Sequence, residues 1–334
     1  MKRTGKSVRH TMILMIILVA SLPALTSCGL HRQRKVLKLA HSLPVDHPVH
    51  KAMVFMAHRL DSLSGGRLTL QIYPSGQLGS EQQCVELVQI GSLAMTKVSA
   101  AVMESFSTDY KVLGLPYLFR SKEHAFKVQD GEIGRDILLS TEKVWLRGLC
   151  FYDAGSRSFY TVSKPIHTPD DLKGLKIRVM KSKTALEMVK AMGGSPTPLS
   201  WGELYTALQS GVVDGAENNP PSFYTSHHYE VCKYYTLDEH TTVPDVLIIN
   251  YKIWKKLSPQ EQQWLQEAAG KSVQVERRLW AASVKESLEA VKKAGVDIYY
   301  PDKNLFREKV APLYDEYRKN KVINDYIERI QNLK

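Results

Sequence analysis

The sequence predicts an α/β protein of two lobes spanned by one long helix, on three observations. Short apolar strands alternate with amphipathic helices, the rhythm of a parallel-rich sheet flanked by helices. That rhythm runs through the first half of the chain and again through the second, with no sequence repeat. A last helical pattern, beginning at Ser258, is longer than either half is wide.

The chain opens on Lys2, Arg3, Lys6 and Arg9, followed by an apolar run over residues 12–25 and then Thr26, Ser27 and Cys28. Basic, apolar and small-residue regions in that order predict an export signal over residues 1–27. The run is too short for a comfortable membrane span. Its end has the small residues and cysteine of a bacterial lipoprotein processing site. Cys28 is therefore expected to carry lipid and become the mature N-terminus, with residues 28–35 as a tether. A plain signal peptide with an incidental cysteine is the other reading.

Residues 36–40 form a first strand, and a helix over residues 48–64 follows, stopped by Gly65 and Gly66. Leu68, Leu70 and Ile72 alternate along a half-buried second strand. Ser80 and Gln83 have the spacing of a capping box, opening a helix that ends near Gly91. The second lobe repeats the scheme: a strand over residues 175–179, a helix over residues 182–192, and Ser200 with Glu203 capping another helix. The junction is expected near residues 154–156, giving lobes over residues 36–153 and 154–250. No low-complexity linker appears, so several strands should cross between them. Residues 251–334 then supply the spanning helix and the C-terminal helices. Ser258, Pro259 and Glu261 give the long helix an N-cap, a proline at its first position and a box partner. Leu265, Ala268, Ser272, Val275, Leu279 and Ala282 keep one face apolar for about 36 residues, or about 54 Å. A lobe of about 150 residues is only about 38 Å across. The helix must run across both lobes unless it breaks or leaves the body.

Without the signal, 307 residues remain, and the loss of four basic and no acidic side chains takes the formal charge from +11 to +7. Lys and Arg are scattered among Glu and Asp rather than gathered in a basic stripe, which argues against nucleic acid as a partner. Cys84, Cys150 and Cys232 allow at most one disulfide and match no zinc spacing, so they read as buried free thiols. There is no serine elbow, phosphate loop or zinc-protease helix, and no cofactor motif. His41, Asp46, His47 and His50 cluster in sequence. Yet His41 should end a strand while His47 begins a helix, so no metal site is expected.

Candidate binding residues follow from residue chemistry. On the strand over residues 175–179, Leu175, Ile177 and Val179 share one face while Lys176 and Arg178 share the other. Taken alone this fits a solvated charged face as well as a site. Asn218 and Asn219 precede Pro220 and Pro221, which fix the backbone and turn short amides inward. Glu217 is either an acceptor for sugar hydroxyls or a solvated acid. Lys97 interrupts an apolar strand ending at Ser99, where it meets a ligand or snorkels to water. Trp201 and Tyr224 are either cleft walls or core.

The stretches from Asp170 to Val179, Gly193 to Tyr205 and Gly211 to Pro221 resemble the solute receptors of tripartite ATP-independent periplasmic (TRAP) transporters, the DctP family. The resemblance covers nearly the whole mature chain. It implies two lobes that close on one organic acid, a monomer of the Gram-negative periplasm, and small and large membrane subunits as partners. It implies that Arg178 forms the bidentate carboxylate contact, that Asn218 donates to the same carboxylate, and that Arg157 supplies a second positive contact. It puts His41 or His47 at the cleft mouth, where either can bond a ligand hydroxyl. Residues 96–99, 201–205 and 217–224 resemble the sub-group taking hexuronates such as glucuronate or galacturonate. Asn219 and Ser99 depart from the sialic-acid pattern. Sialic acid, diketogulonate or another sugar acid or keto acid is the alternative ligand, and an exported uronate-processing enzyme with His47 or Lys97 as base the alternative class.

Overall fold

The structure is a computed structural model that describes residues 34–334. The signal over residues 1–27 and the lipidation site at Cys28 lie outside the described residues.

Strand β1 (Lys35–Ala40) leads to helix α1 (Pro48–Ser64). His47 caps α1 by accepting from the Val49 N–H, and Gly65 ends it at φ 58°, a left-handed conformation that a residue without Cβ adopts freely. Strand β2 (Leu68–Tyr73), helix α2 (Glu81–Ile90), strand β3 (Met95–Ser99) and strand β4 (Leu146–Tyr152) follow. The chain then crosses to a second sheet, built from β5 (Arg157–Thr161), β6 (Lys176–Val179), helix α3 (Lys183–Ala191), β7 (Ser195–Pro198), β8 (Gly215–Asn218), helix α4 (Pro220–Thr225) and β9 (Tyr234–Thr241). It returns as β10 (Asp245–Asn250) and runs on through helix α5 (Pro259–Lys293), β11 (Asp297–Tyr299), α6 (Lys303–Arg318) and α7 (Lys321–Asn332).

The first sheet has the order β2-β1-β3-β10-β4, and the second the order β11-β9-β5-β8-β6-β7. Both are mixed. Strand β1 runs parallel to β3, and β6 runs parallel to β7 and β8, as the alternating rhythm predicts. Strands β10 and β5, however, are antiparallel to both of their neighbours. These are the two strands that arrive from the other sheet, and so they run against the local direction.

This return corrects the boundary expected at residue 250. Residues 245–250 lie in the first sheet, between β3 and β4, because Val246, Leu247, Ile248 and Ile249 are fully buried and need cover on both faces. Two connections cross between the sheets side by side: Asp245 pairs with Tyr152 at one end and Arg157 with Thr241 at the other. Gly155, at φ +57°, lies on one of them. A Cβ there would stand 3.0 Å from the Trp280 indole nitrogen.

Helix α5 is unbroken over 35 residues, about 52 Å. Its Leu265, Ala268, Ala269, Val273 and Trp280 join the core of the first lobe, and its Val291 joins that of the second. The tail repeats the bridging: Phe306 and Val310 of α6 pack in the second lobe, Ile323, Ile327 and Ile330 of α7 in the first. Each buried aliphatic of this kind contributes about 1.5–3 kcal/mol. Cys84, Cys150 and Cys232 are buried free thiols. Among the described residues no helix is long and apolar enough to cross a membrane.

Candidate ligand-binding site

A cleft opens between the lobes beside the crossing strands, with about 750 Å³ of empty space, part of it continuous with solvent. Its lining joins Lys97, Ser99 and His47 of the first lobe to Arg157, Arg178, Asn218 and Trp201 of the second.

Arg178 is placed by strand alternation. Leu175, Ile177 and Val179 are buried in the core of the second lobe, and Arg178 points from the other face of β6 into the cleft. It is not solvated: only 2% of it is exposed. Its Nε donates to the Leu199 carbonyl at 2.9 Å, and the guanidinium lies 5.7 Å from the Trp201 ring centroid. The Nη1 is buried with no hydrogen-bond partner among the described residues. Burial pulls the Arg178 pKa below the usual arginine value, the mark of a desolvated charge short of a counter-ion.

Arg157 is also buried, but it has a counter-ion. Its Nε donates to Glu217 Oε2 at 2.5 Å, its Nη2 to Glu217 Oε1 at 2.9 Å and to the Glu217 carbonyl at 2.8 Å, and its Nη1 to Asn218 Oδ1 at 2.8 Å. Glu217 in turn receives His240 Nε2 at 3.5 Å, and His240 Nδ1 meets Asp238 at 2.8 Å. Burial alone would raise the Glu217 pKa, but Arg157 and His240 bring it down to about 2. Burial likewise works to lower the His240 pKa, and Asp238 and Glu217 lift it to about 9.

Asn218 Oδ1 accepts from Arg157 and from both nitrogens of Asn219, which leaves the amide nitrogen of Asn218 as its group for a ligand. Asn219 caps α4 by accepting from the Ser222 N–H at 2.8 Å. On the opposite wall Lys97, 1% exposed, directs its ammonium at Asp245 at 2.9 Å and Glu81 at 3.3 Å. Ser99 lies beside it, and its N–H donates to Glu81 at 3.3 Å.

Three expected residues stand elsewhere. Glu217 is neither solvated nor available to hydroxyls, because it is the counter-ion of Arg157. His41 is off the cleft lining, with its Nε2 3.0 Å from His50 Nδ1 and its Nδ1 accepting from the Leu43 N–H. Burial first, then Lys97 and His50, drop its pKa to about 2. Tyr224 is 36% exposed and stacks on Tyr229, since the turn of α4 that buries Phe223 carries the next residue outward. His47 lines the cleft but is occupied: its Nδ1 accepts from Val49, and its Nε2 lies 3.3 Å from Ser222 Oγ across the lobes. Burial, with Lys97 next, holds its pKa well below the usual histidine value, so it is the neutral tautomer with the proton on Nε2. His41 and His50 meet each other, while His47 turns to Ser222. Among the described residues no group of three or more His, Cys, Asp or Glu could hold a metal ion.

Glu81, Asp245 and Trp280 line the cleft without a sequence signal that singled them out as site residues. Glu81 was hidden inside the Ser80–Gln83 capping box. Asp245 carries the one usable hint, an acid heading an apolar run over residues 246–249.

Comparison with known proteins gives one consistent result. The family described as bacterial extracellular solute-binding protein, family 7 (DctP), matches residues 39–320. A TRAP periplasmic solute binding protein from Xanthobacter autotrophicus Py2, solved with bound β-D-galacturonate, is 40% identical; the match covers 89% of this chain and all of that one, with a TM-score of 0.87. Another, from Anaerococcus prevotii with bound α/β D-glucuronate, is 38% identical over 89% of this chain and 97% of that one, also at 0.87. Salmonella typhimurium YiiZ is 39% identical over 301 residues, 90% of this chain and 92% of the relative.

Proposed function

Because the chain belongs to the DctP family of extracellular solute-binding proteins, the receptors of TRAP transporters, we propose that its own ligand is a hexuronate, D-glucuronate or D-galacturonate, held by its carboxylate on Arg178. The observation that carries this reading is the buried guanidinium with an unpartnered Nη1 in the cleft. Arg presents parallel N–H donors that match the two oxygens of a carboxylate, and a buried carboxylate needs a paired cation. The amide nitrogen of Asn218 adds a second donor, and Trp201 offers an apolar wall. Arg157 acts through Asn218 and Glu217, holding the amide in orientation. The relatives that hold galacturonate and glucuronate support the choice within the organic acids.

Closure is a hinge motion at the two crossing connections, and a ligand favours the closed form only by contacts it makes there. The loaded receptor then hands its acid to the small and large membrane subunits. As a receptor it has no reaction to catalyse. We further propose, from residues 25–28, that Cys28 is lipidated and that the receptor works tethered as a monomer in the periplasm of a Gram-negative bacterium. Cys28→Ser expressed in a bacterial host should lose lipid labelling, and unchanged membrane retention of that variant would refute the tether.

A thermal-shift screen of the mature protein tests the ligand. A hexuronate at 100 times its dissociation constant should add about 2.7 kcal/mol of stability, and the neutral parent sugar should add almost none. No shift with either uronate, alongside a clear shift with sialic acid or diketogulonate, would replace the proposed ligand.

A further inference from the structure

The wall of the cleft formed by the first lobe carries more negative charge than its lysine cancels. Lys97 Nζ stands 2.9 Å from Asp245 Oδ2 and 3.3 Å from Glu81 Oε1, so two carboxylates share one ammonium. All three line the same cavity as Arg178, whose Nη1 is buried and unpartnered. Glu81 sits in the first turn of α2, where the partial positive charge of the helix end favours a carboxylate. It also accepts from Ser42 Oγ at 3.2 Å and from the Ser99 N–H at 3.3 Å. Burial, and after it Glu81, raise the Asp245 pKa against the pull of Lys97, as expected where negative charge is already crowded.

We infer that the Glu81–Lys97–Asp245 cluster is a charge filter at the end of the ligand away from its Arg178-bound carboxylate, one that takes a hydroxyl-bearing, uncharged end and rejects a second carboxylate. This rests on the reading of Arg178 as the carboxylate partner. An ammonium has three N–H donors, and two are directed at the acids, which leaves one for a ligand oxygen. Carboxylates are acceptors only, so a hydroxyl can donate to Glu81 or Asp245 while a carboxylate has no proton to offer. A second anion there meets like charge at close range in a partly desolvated cleft, and such juxtaposition is a means of excluding wrong partners. The ligand class is therefore a polyhydroxy monocarboxylate, and diacids of the same length are excluded.

The filter is tested by calorimetry on the mature protein with D-galactonate and galactarate, two open-chain acids that differ only in a CH₂OH becoming a second carboxylate, and with D-galacturonate as reference. Wild type should bind galactarate at least about 100-fold more weakly than the monocarboxylate it binds better, consistent with a cost of several kcal/mol for like charges. Glu81→Gln keeps the size of the side chain and removes one charge. It should weaken the monocarboxylate and shrink that ratio at least tenfold, and Asp245→Asn should move it the same way. Melting curves confirm that each variant is folded, and either folded variant suffices. Galactarate bound as tightly as the monocarboxylate by wild type, or an unchanged ratio in the folded variants, overturns the filter. Absence of hexuronate binding in wild type would instead sink the function reading. Arg178→Ala separates the two ideas: it should weaken all three acids, which the cluster alone does not require.

Discussion

Two arginines on the strands that flank β8 in the second sheet, Arg157 on β5 and Arg178 on β6, are both buried at the cleft and yet differ in their partners. Arg157 has its counter-ion built in, with two Glu217 oxygens, a carbonyl and Asn218 on its guanidinium. Arg178 has a carbonyl on Nε, an aromatic wall and a vacant Nη1. A charge taken out of water is costly unless it is paired. The fold bears that cost at one position and leaves the other guanidinium without a counter-ion among the described residues. On the proposed function the first arginine belongs to the frame, and the second to the ligand.

The sharpest way to break that comparison is to truncate each arginine and follow stability without ligand. Arg157→Ala strands Glu217 as an uncompensated buried charge and should cost about 3–5 kcal/mol. Adding Glu217→Gln should recover a good part of the loss. Arg178→Ala removes a charge that has no partner, and its chemical denaturation midpoint should stay at or above that of wild type. Equal destabilisation by the two truncations would erase the distinction.

The frame around Arg157 also predicts a pH response. The folded His240 pKa of about 9 lies above the ordinary 6.5, so its contribution is complete below pH 6.5 and is lost as pH rises through about 9. The folded Glu217 pKa of about 2 lies below the ordinary 4.5, so its contribution is present above pH 4.5 and is lost as pH falls through about 2. The contributions of His240 and Glu217 are both complete between about pH 4.5 and 6.5. Stability measured from pH 6.5 to 9 should fall, and His240→Gln should flatten that slope.

A smaller effect is expected at His47, which lines the cleft. His47→Ala removes the inter-lobe contact with Ser222, 3.3 Å long, and the helix cap at Val49. Each contact is worth about 1 kcal/mol. Ser222→Ala tests the inter-lobe part alone, by small-angle scattering with and without a uronate. A radius of gyration that fails to fall on ligand in wild type would remove closure itself.

How much of this was legible in the sequence depends on range. Caps and periodicity announced α1, α2, β6 and the whole of α5, because local interactions set them. The return of the chain as β10 was not legible, since an apolar run does not say which sheet will cover it. Site residues divide the same way. Strand alternation turned Arg178 toward the cleft, but nothing local told whether Arg157 or Arg178 would find an acid, because Glu217 reaches its partner across a strand pair 60 residues apart. Tyr224 was misplaced by less than one helical turn. Glu81 was concealed by its better-known neighbours in the capping box, and its role depends on Lys97 and Asp245 arriving from β3 and β10.

The central claim is that Arg178 awaits a carboxylate, and titration calorimetry of wild type, Arg178→Lys and Arg178→Ala against a hexuronate and its neutral parent sugar tests it most directly. Alanine should weaken uronate binding by about 2–5 kcal/mol, roughly 30- to 4,000-fold. Lysine keeps the charge but not the planar fork, so it should bind more weakly than wild type. The neutral sugar should bind poorly to wild type and lose little further in either variant. Uronate affinity near that of wild type in Arg178→Ala would contradict the account.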